Sequence, residues 1–108
     1  MESTSAIDVL AALAQPTRLQ AFRLVMQHEP HGLPAGEVAR LLDVPQNTMS
    51  SHLAILARAG LISSERQSRS IVYRADIATL RELMVFLAKD CCRGSPELCA
   101  PLLQELAC

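Results

Sequence analysis

Aromatic residues are scarce in this sequence, which has two phenylalanines, one tyrosine and no tryptophan among its 108 residues. Half of the residues are nevertheless hydrophobic, and most of these are leucine, alanine, valine and isoleucine. Such a composition favours helices that pack through leucine and alanine. The length suits one domain with a modest core and is too short for two. We therefore expect residues 1–108 to form a single, mainly α-helical domain.

Long apolar runs and early cysteines are also absent. No run of about 18 apolar residues occurs, and the N-terminal residues lack the basic segment and apolar core of a secretion signal. All four cysteines lie within residues 91–108, whereas disulfide frameworks spread cysteines along the chain. These absences predict a cytoplasmic protein without membrane association, in which clustered thiols form a local site.

The motifs of several enzyme classes are missing as well. The sequence has no glycine-rich phosphate loop, no HExxH and no GxSxG. A thiol-based phosphatase or arsenate reductase would need an arginine at a set distance after its cysteine. After Cys91 and Cys92, those positions hold Glu97 and Leu98. We therefore expect no enzymatic activity and no organic cofactor.

Acidic residues are absent from residues 46–61, which read QNTMSSHLAILARAGL. Met49, Leu53 and Leu56 recur at helical spacing and predict an inward face. The opposite stripe carries amides, hydroxyls and one guanidinium, from Asn47, Ser50, Ser51, Ala54 and Arg58. A solvated helix normally carries both charge signs, so this stripe indicates a polyanionic partner. The alternative is an ordinary amphipathic surface helix.

Charge is unevenly distributed along the chain, although the net charge is only −1. Residues 46–74 hold four arginines and one glutamate, a net charge of +3, and the remainder carries −4. A locally basic segment on an acidic body can bind DNA phosphates with a modest, salt-dependent affinity.

Helices are predicted on both sides of a tight corner. Asp43-Val44-Pro45 separates a helix at about residues 35–42 from the helix that begins at Gln46, which predicts a helix-turn-helix with the second helix as reader. Upstream, a capping box at Ser5 predicts the start of a first helix, and Pro16 predicts the start of a second that ends near His28.

Beyond Gly60, which suits a left-handed helix end, the hydrophobic period changes to two residues. Residues 61–65 and 70–74 are predicted to form a β-hairpin with arginines at its tip. Asp76 is expected to cap a further helix, and Ser95-Pro96 to start a last one. The helix-turn-helix and hairpin are thus expected to form one DNA-reading unit at about residues 34–74, flanked by helices at about 5–14 and 76–107.

Three stretches, in this order and spacing, resemble the ArsR/SmtB family of bacterial metal-responsive repressors. They are LAQPTRL at residues 13–19, TMSSHL at 48–53 with AGL at 59–61, and the segment from Glu65-Arg66 to Tyr73. The resemblance implies a dimeric winged helix-turn-helix, mainly α with a small β-hairpin, that binds palindromic operator DNA.

The sequence departs from the family pattern at three positions. Pro45 stands where a serine or threonine often caps the reader helix, so no hydroxyl can cap it there. Asp43 stands where glycine is usual, but aspartate enters the left-handed region more readily than most residues. Ser68 replaces a glycine often found at the wing tip, which leaves the turn type open.

The predicted DNA contacts lie on the reader helix and the hairpin. Base edges or adjacent phosphates are assigned to Gln46, Asn47, Thr48, Ser50 and Ser51, and phosphates or the minor groove to Arg58, Arg66 and Arg69. The first and last helices carry surplus apolar surface, with candidate dimer contacts at Ala6, Ile7, Leu10, Leu83, Phe86, Leu87, Leu102 and Leu106.

The usual metal sites of the family are missing, because residues 34–42 contain no cysteine and residues 76–89 no histidine. Residues 91–99, CCRGSPELC, instead resemble the C-terminal three-cysteine site of arsenic and antimony sensors. As(III) and Sb(III) are soft acceptors that need three sulfurs on one side. The resemblance implies that Cys91, Cys92 and Cys99 bind the metalloid inducer, with Cys108 as an optional ligand. The sequence does not distinguish the two metalloids.

Other interpretations of these thiols stay open. They could be buried core residues, four ligands of a zinc ion, or a redox switch in which Cys92 and Cys99 form a disulfide. His28 and His31 are predicted to be ordinary exposed loop histidines. His52, on the inward side of the reader helix, is predicted to pack and to form a hydrogen bond.

Overall fold

The computed structural model describes residues 1–88, 97 and 100–106. Within them the chain forms six helices and three strands. In order these are α1 (Ser3–Leu13), α2 (Pro16–Gln27), β1 (Leu33–Pro34), α3 (Ala35–Leu42), α4 (Gln46–Arg58), β2 (Ile62–Gln67), β3 (Ser70–Ala75), α5 (Ile77–Ala88) and α6 (Ala100–Leu106). None of the helices in this part of the chain combines the length and apolarity needed to cross a bilayer.

Local sequence signals set most helix starts. Pro16 occupies the first turn of α2, and the side chain of Gln15 accepts a hydrogen bond from the Arg18 backbone N–H at 2.7 Å. Asp76 caps α5 as predicted, because its Oδ1 accepts from the Thr79 N–H at 3.1 Å. The capping box predicted at Ser5 is wrong, since α1 begins at Ser3 without a side-chain cap.

The sheet has three antiparallel strands in the order β1-β3-β2. The β2 to β3 hairpin was predicted, with Gln67 paired to Ser70 across the turn and Ile62 paired to Ala75 at the base. The third strand, β1, was not predicted, and it pairs Leu33 with Tyr73. A two-residue strand cannot display the alternation by which strands are recognised. The predicted hairpin is therefore confirmed, and β1 extends it to a three-stranded sheet.

The core forms where α2, α3 and α4 meet the base of the sheet. Met49, Leu53 and Leu56 of α4 and Val25 of α2 are fully buried, and Leu61 closes the core where α4 passes into β2. Every buried side chain among the described residues is apolar. The hydrophobic effect thus fixes one face of α4 to the body and leaves the other face to solvent.

Two of the predicted dimer contacts belong to this core. Ala6 is 2% exposed and Leu83 is 4% exposed within a single chain, so neither can contact a partner. The helical spacing that placed them on an apolar stripe was right, but that stripe also covers the monomer's own core. The other six predicted dimer residues are exposed and apolar: Ile7, Leu10, Phe86, Leu87, Leu102 and Leu106.

Candidate nucleic-acid interface

The reader helix α4 is bounded on both sides by residues in the left-handed region. Asp43 has φ 55°, and the Val44 N–H bonds the Ala39 carbonyl at 3.0 Å, which closes α3 and turns the chain. At the other end Gly60 has φ 83°, and the Leu61 N–H bonds the Leu56 carbonyl at 3.0 Å. The predicted corner at Asp43 and the predicted left-handed helix end at Gly60 are therefore confirmed. Together they set the two ends of α4.

The outer face of α4 is polar and exposed over its whole length. All five positions predicted to face outward are exposed, and so are three more: the five are Asn47, Ser50, Ser51, Ala54 and Arg58, and the others are Gln46, Thr48 and Ala57. The inward residues Met49, Leu53 and Leu56 are completely buried. The two-faced helix is thus confirmed, and its outer face offers amide and hydroxyl groups of the kind that bond base edges in a major groove.

The N-terminal end of α4 is open to an anion. Pro45 provides no side-chain cap, and the first turn contains no acidic residue. The Asn47 side chain accepts from the Thr48 N–H at 2.9 Å, but no hydrogen bond among the described residues uses the backbone N–H of Gln46 or Asn47. Such N–H groups, together with the positive end of the helix dipole, favour a phosphate oxygen.

Arg18 connects α1 and α2 to the reader helix. Its Nε donates to the Ala12 carbonyl at 2.7 Å, near the C-terminal end of α1, and its Nη1 lies 3.5 Å from Nδ1 of His52 on α4. His52 is partly buried. The predicted packing role of His52 is therefore supported, and its hydrogen-bonding partner is Arg18.

The wing, defined as β2, β3 and their turn, carries two of the predicted phosphate contacts. Arg66 lies on β2 and Arg69 in the turn, and both are exposed. Ser68 has φ 56°. Of the two central turn residues only Ser68 has a positive φ, which is the pattern of a type II′ turn. Within residues 1–88, neither Arg66 nor Arg69 forms an ion pair, so both cations face solvent.

Arg74, the third arginine of the wing, is instead bonded to carboxylates. Its Nη2 donates to Glu29 Oε2 at 2.7 Å, its Nε also donates to Glu29, and its Nη1 donates to Glu65 at 3.2 Å. The hydrogen bonds from Arg74 hold the pKa of Glu29 below its usual value. Residues 46–74 therefore present less free positive charge than the count of four arginines against one glutamate suggests, because Arg74 is paired with Glu29.

Glu29 was not identified from the sequence, because it stands in a loop and its partner lies 45 residues further along the chain. No local pattern marks such a pair. His28 in the same region bonds the Leu24 carbonyl through Nδ1 at 2.9 Å and is exposed, as predicted for an ordinary surface histidine.

Arg58 lies at the opposite end of α4 from the open N-terminus, about 18 Å away at the helical rise of ~1.5 Å per residue. It lines an open cavity of about 410 Å³ together with Asp8, Arg18 and Ile55. Reader helices contact base edges through their N-terminal residues. A contact from Arg58 to DNA stays a prediction.

The predicted thiol ligands lie outside the described residues: Cys91, Cys92, Cys99 and Cys108. Among the residues that are described, no group of histidine, cysteine, aspartate and glutamate side chains is arranged to hold a metal ion. The three-thiolate site therefore stays a prediction from the sequence.

Sequence comparison places the chain among helix-turn-helix regulators. The family described as "Helix-turn-helix domain" matches residues 13–65. The HTH-type transcriptional regulator YgaV of Escherichia coli is 34% identical, over 72% of this chain and 84% of its own. The transcriptional activator HlyU of Vibrio cholerae is 27% identical, over 86% and 83%. The repressor SmtB of Mycobacterium tuberculosis is 37% identical over 62% of this chain, which spans about half (47%) of SmtB.

Solved structures agree with this placement. An ArsR-like transcriptional regulator from Rhodococcus matches with a TM-score of 0.75 and 26% identity, over 95% of this chain and 93% of its own. The homodimeric winged helix-turn-helix DNA-binding domain of a possible ArsR-family regulator from Mycobacterium bovis shares the fold, with a TM-score of 0.67 and 23% identity over 81% of each chain. The fold, the geometry of α4 and the wing, and these relatives together show that the chain belongs to the ArsR/SmtB family of winged helix-turn-helix transcriptional regulators.

Proposed function

We propose that this protein is a metalloid-responsive repressor, which binds operator DNA as a homodimer and dissociates when As(III) or Sb(III) binds to Cys91, Cys92 and Cys99. The observation that carries the DNA-binding half is the outer face of α4, which is exposed along its length and free of acidic residues. Its extension by Arg66 and Arg69 in the wing supports contact with phosphates on both sides of a groove.

Dimerisation is supported by apolar side chains that a monomer leaves in water. On α1, Ile7 is 63% exposed, and on α5, Leu87 is 56% exposed. Helices α1 and α5 thus both offer exposed apolar contact area. The Mycobacterium bovis domain of the same fold is described as homodimeric. A two-fold axis through these helices would place two copies of α4 about one turn of DNA apart.

Metalloid binding is supported by the chemistry of residues 91–99. Adjacent Cys91 and Cys92 supply two sulfurs, Gly94 allows the chain to turn, and Cys99 supplies the third. Three thiolates on one side of the ion match the pyramidal coordination of As(III) and Sb(III). Because these residues lie between α5 and α6, a bound ion would change how the two helices meet. A coupling free energy of about 1–3 kcal/mol is enough to release the operator.

Fluorescence anisotropy with titrated arsenite and antimonite tests this proposal. The probe is a labelled duplex that the wild-type protein selects from a random library. We expect either metalloid to weaken binding about 5- to 150-fold, the range of typical allosteric couplings. Serine at Cys91, Cys92 or Cys99 should abolish that response, whereas Cys108→Ser should keep it. Unchanged affinity of the wild-type protein under both metalloids would reject the sensing function.

A redox-sensing repressor is the alternative that the same cysteines support. The titrations are therefore run with a phosphine reductant, which keeps thiols reduced without competing as a thiol. A redox sensor would release DNA only under oxidant and bind again after reduction. Transcription in vitro from a promoter overlapping the selected sequence separates a repressor from an activator, because only a repressor lowers the transcript yield when it binds.

A further inference from the structure

The wing projects from the body on a narrow base. All residues of 63–71 are exposed, whereas Ile62, Val72 and Ala75 at the base are buried. The direction in which the arginines near the tip point is therefore set at the base. Arg69 stands five positions before Arg74, about 17 Å at the rise of a strand, so a rotation of about 10° at the base moves the tip by about 3 Å.

Glu29 ties this base to the body of the protein. Its carboxylate accepts from Arg74 Nη2 at 2.7 Å and from Arg74 Nε at 3.0 Å, and it also accepts from the Ala75 backbone N–H at 2.7 Å. Glu29 belongs to the loop between α2 and β1, so these bonds join two elements that are distant in sequence. We call this set of hydrogen bonds the Glu29 clasp.

The clasp is less accessible to water than a fully exposed surface ion pair. The Arg74 side chain is 30% exposed and that of Glu29 is 20% exposed, so both are mostly shielded from water. Exposed ion pairs contribute little to stability, whereas shielded, bidentate guanidinium–carboxylate pairs hold a defined geometry. The same loop also touches β3 at Gly32, where a Cβ would lie only 2.5 Å from the Tyr73 carbonyl oxygen. Loop and strand are therefore held in one relative position.

We infer that Glu29 is a positioning residue for DNA binding, which holds the wing in the orientation that brings Arg66 and Arg69 to the DNA. This inference rests on the DNA-binding half of the proposed function and is independent of metalloid sensing. Glu29 lies at the base of the wing and acts through Arg74 and Ala75, so it needs no DNA contact of its own.

If the charge of Glu29 is removed, simple electrostatics and the loss of the clasp predict opposite changes in DNA affinity. Removing a negative charge from a DNA-binding protein strengthens its attraction to phosphates. Loss of the clasp weakens binding instead, because a wing free to pivot spends less time in the orientation that contacts DNA. Glu65 provides a matched control, since its carboxylate also accepts from Arg74, at 3.2 Å, but lies on β2 within the wing itself. Glu65 therefore cannot join the wing to the body.

The experiment compares Glu29→Gln with Glu65→Gln, which change the net charge equally. Binding to the duplex selected by the wild-type protein is measured by anisotropy over a range of salt concentrations. We expect Glu65→Gln to bind at least as tightly as the wild type, and Glu29→Gln to bind about 5- to 30-fold more weakly. The salt slope of Glu29→Gln should be shallower, by up to about 2 if both wing arginines lose their phosphates. Binding by Glu29→Gln that equals or exceeds that of Glu65→Gln overturns the inference.

A second measurement tests the clasp without DNA. Amide hydrogen exchange at Ala75 should be faster in Glu29→Gln, because a neutral amide is a weaker acceptor than a carboxylate, and unchanged in Glu65→Gln. Equal exchange in both variants and the wild type overturns the clasp. If Glu29→Gln does not fold, Arg74→Lys keeps the charge but lacks the bidentate guanidinium, and the same loss of affinity is expected. Failure of the wild type to select any duplex would reject DNA binding itself, while the exchange result would still decide the clasp.

Discussion

Gly32 shows how a single residue without a side chain holds two elements together. Its φ is 77°, and a Cβ placed there would lie 2.8 Å from Val72 Cγ1 and 2.5 Å from the Tyr73 carbonyl oxygen. The positive φ is a property of the backbone conformation, whereas the close approach to Val72 and Tyr73 is a property of tertiary packing. Only glycine satisfies both at once, which is why the loop before β1 can pack directly on β3.

Gly32→Ala is expected to destabilise the protein by about 2–4 kcal/mol, because left-handed strain adds to a clash with backbone that cannot move freely. Gly36→Ala is the matched control, since a Cβ at Gly36 meets only Gln46 Nε2, at 3.8 Å. Gly36 lies within α3, where alanine is favoured by about 0.5–1 kcal/mol. Urea denaturation of both variants measures the difference. Equal stability of the two variants would show that the loop is not packed on β3.

The wing illustrates what a short element contributes to a DNA-binding surface. Residues 63–71 of the wing are exposed, so this outer part of the hairpin owes its form to strand pairing and to the turn at Ser68 and Arg69. Of its three arginines, Arg74 is engaged by Glu29 and Glu65, whereas Arg66 and Arg69 face solvent. Counting charges along the sequence therefore overestimates the phosphate contacts that this element can make.

Arg69→Ala is expected to weaken DNA binding at all sequences and to reduce the salt slope by about 1, as the loss of one phosphate contact requires. Arg23→Ala serves as the control, because Arg23 is an exposed arginine on α2 that forms no ion pair among the described residues. Anisotropy titrations against salt compare the two variants. The same slope for Arg69→Ala and Arg23→Ala would mean that the wing tip does not touch the backbone.

The elements that the sequence predicted best are those with a strong local period. The predicted reader helix at residues 46–61 corresponds to α4 (Gln46–Arg58) followed by the Gly60 turn. The predicted hairpin strands correspond to β2 and β3, although β2 extends to Gln67 and takes in Arg66, which was predicted at the tip. Strand β1 could not be predicted, because its pairing partners lie about 40 residues away and its two residues carry no alternation.

At the scale of the whole molecule, the apolar surface divides into a core and an outer face. The core takes one stripe of α1 and part of α5, through residues such as Ala6 and Leu83. A second stripe stays exposed and includes Ile7, Leu10 and Leu87. A monomer gains nothing from apolar residues in water, so this second stripe favours association of two chains.

Leu87→Glu is expected to convert the proposed dimer to a monomer without unfolding it, because Leu87 is 56% exposed and a buried charge at an interface is costly. The control is Leu41→Glu on α3, where the leucine is 45% exposed on a helix that packs against α2, α4 and the sheet. Sedimentation velocity distinguishes the two states. A dimer that persists in Leu87→Glu would place the interface elsewhere.

The sequence alone determined the two faces of α4, the tight corner at Asp43, the hairpin and the family, because helical and strand periods and turn chemistry are local properties. It also carries the cysteine cluster from which metalloid sensing is proposed. Only the tertiary structure decided the pairing of β1, the engagement of Arg74 by Glu29, and the burial of Ala6 and Leu83. Those features join residues that are far apart along the chain, and a contact of that kind depends on how the elements pack together.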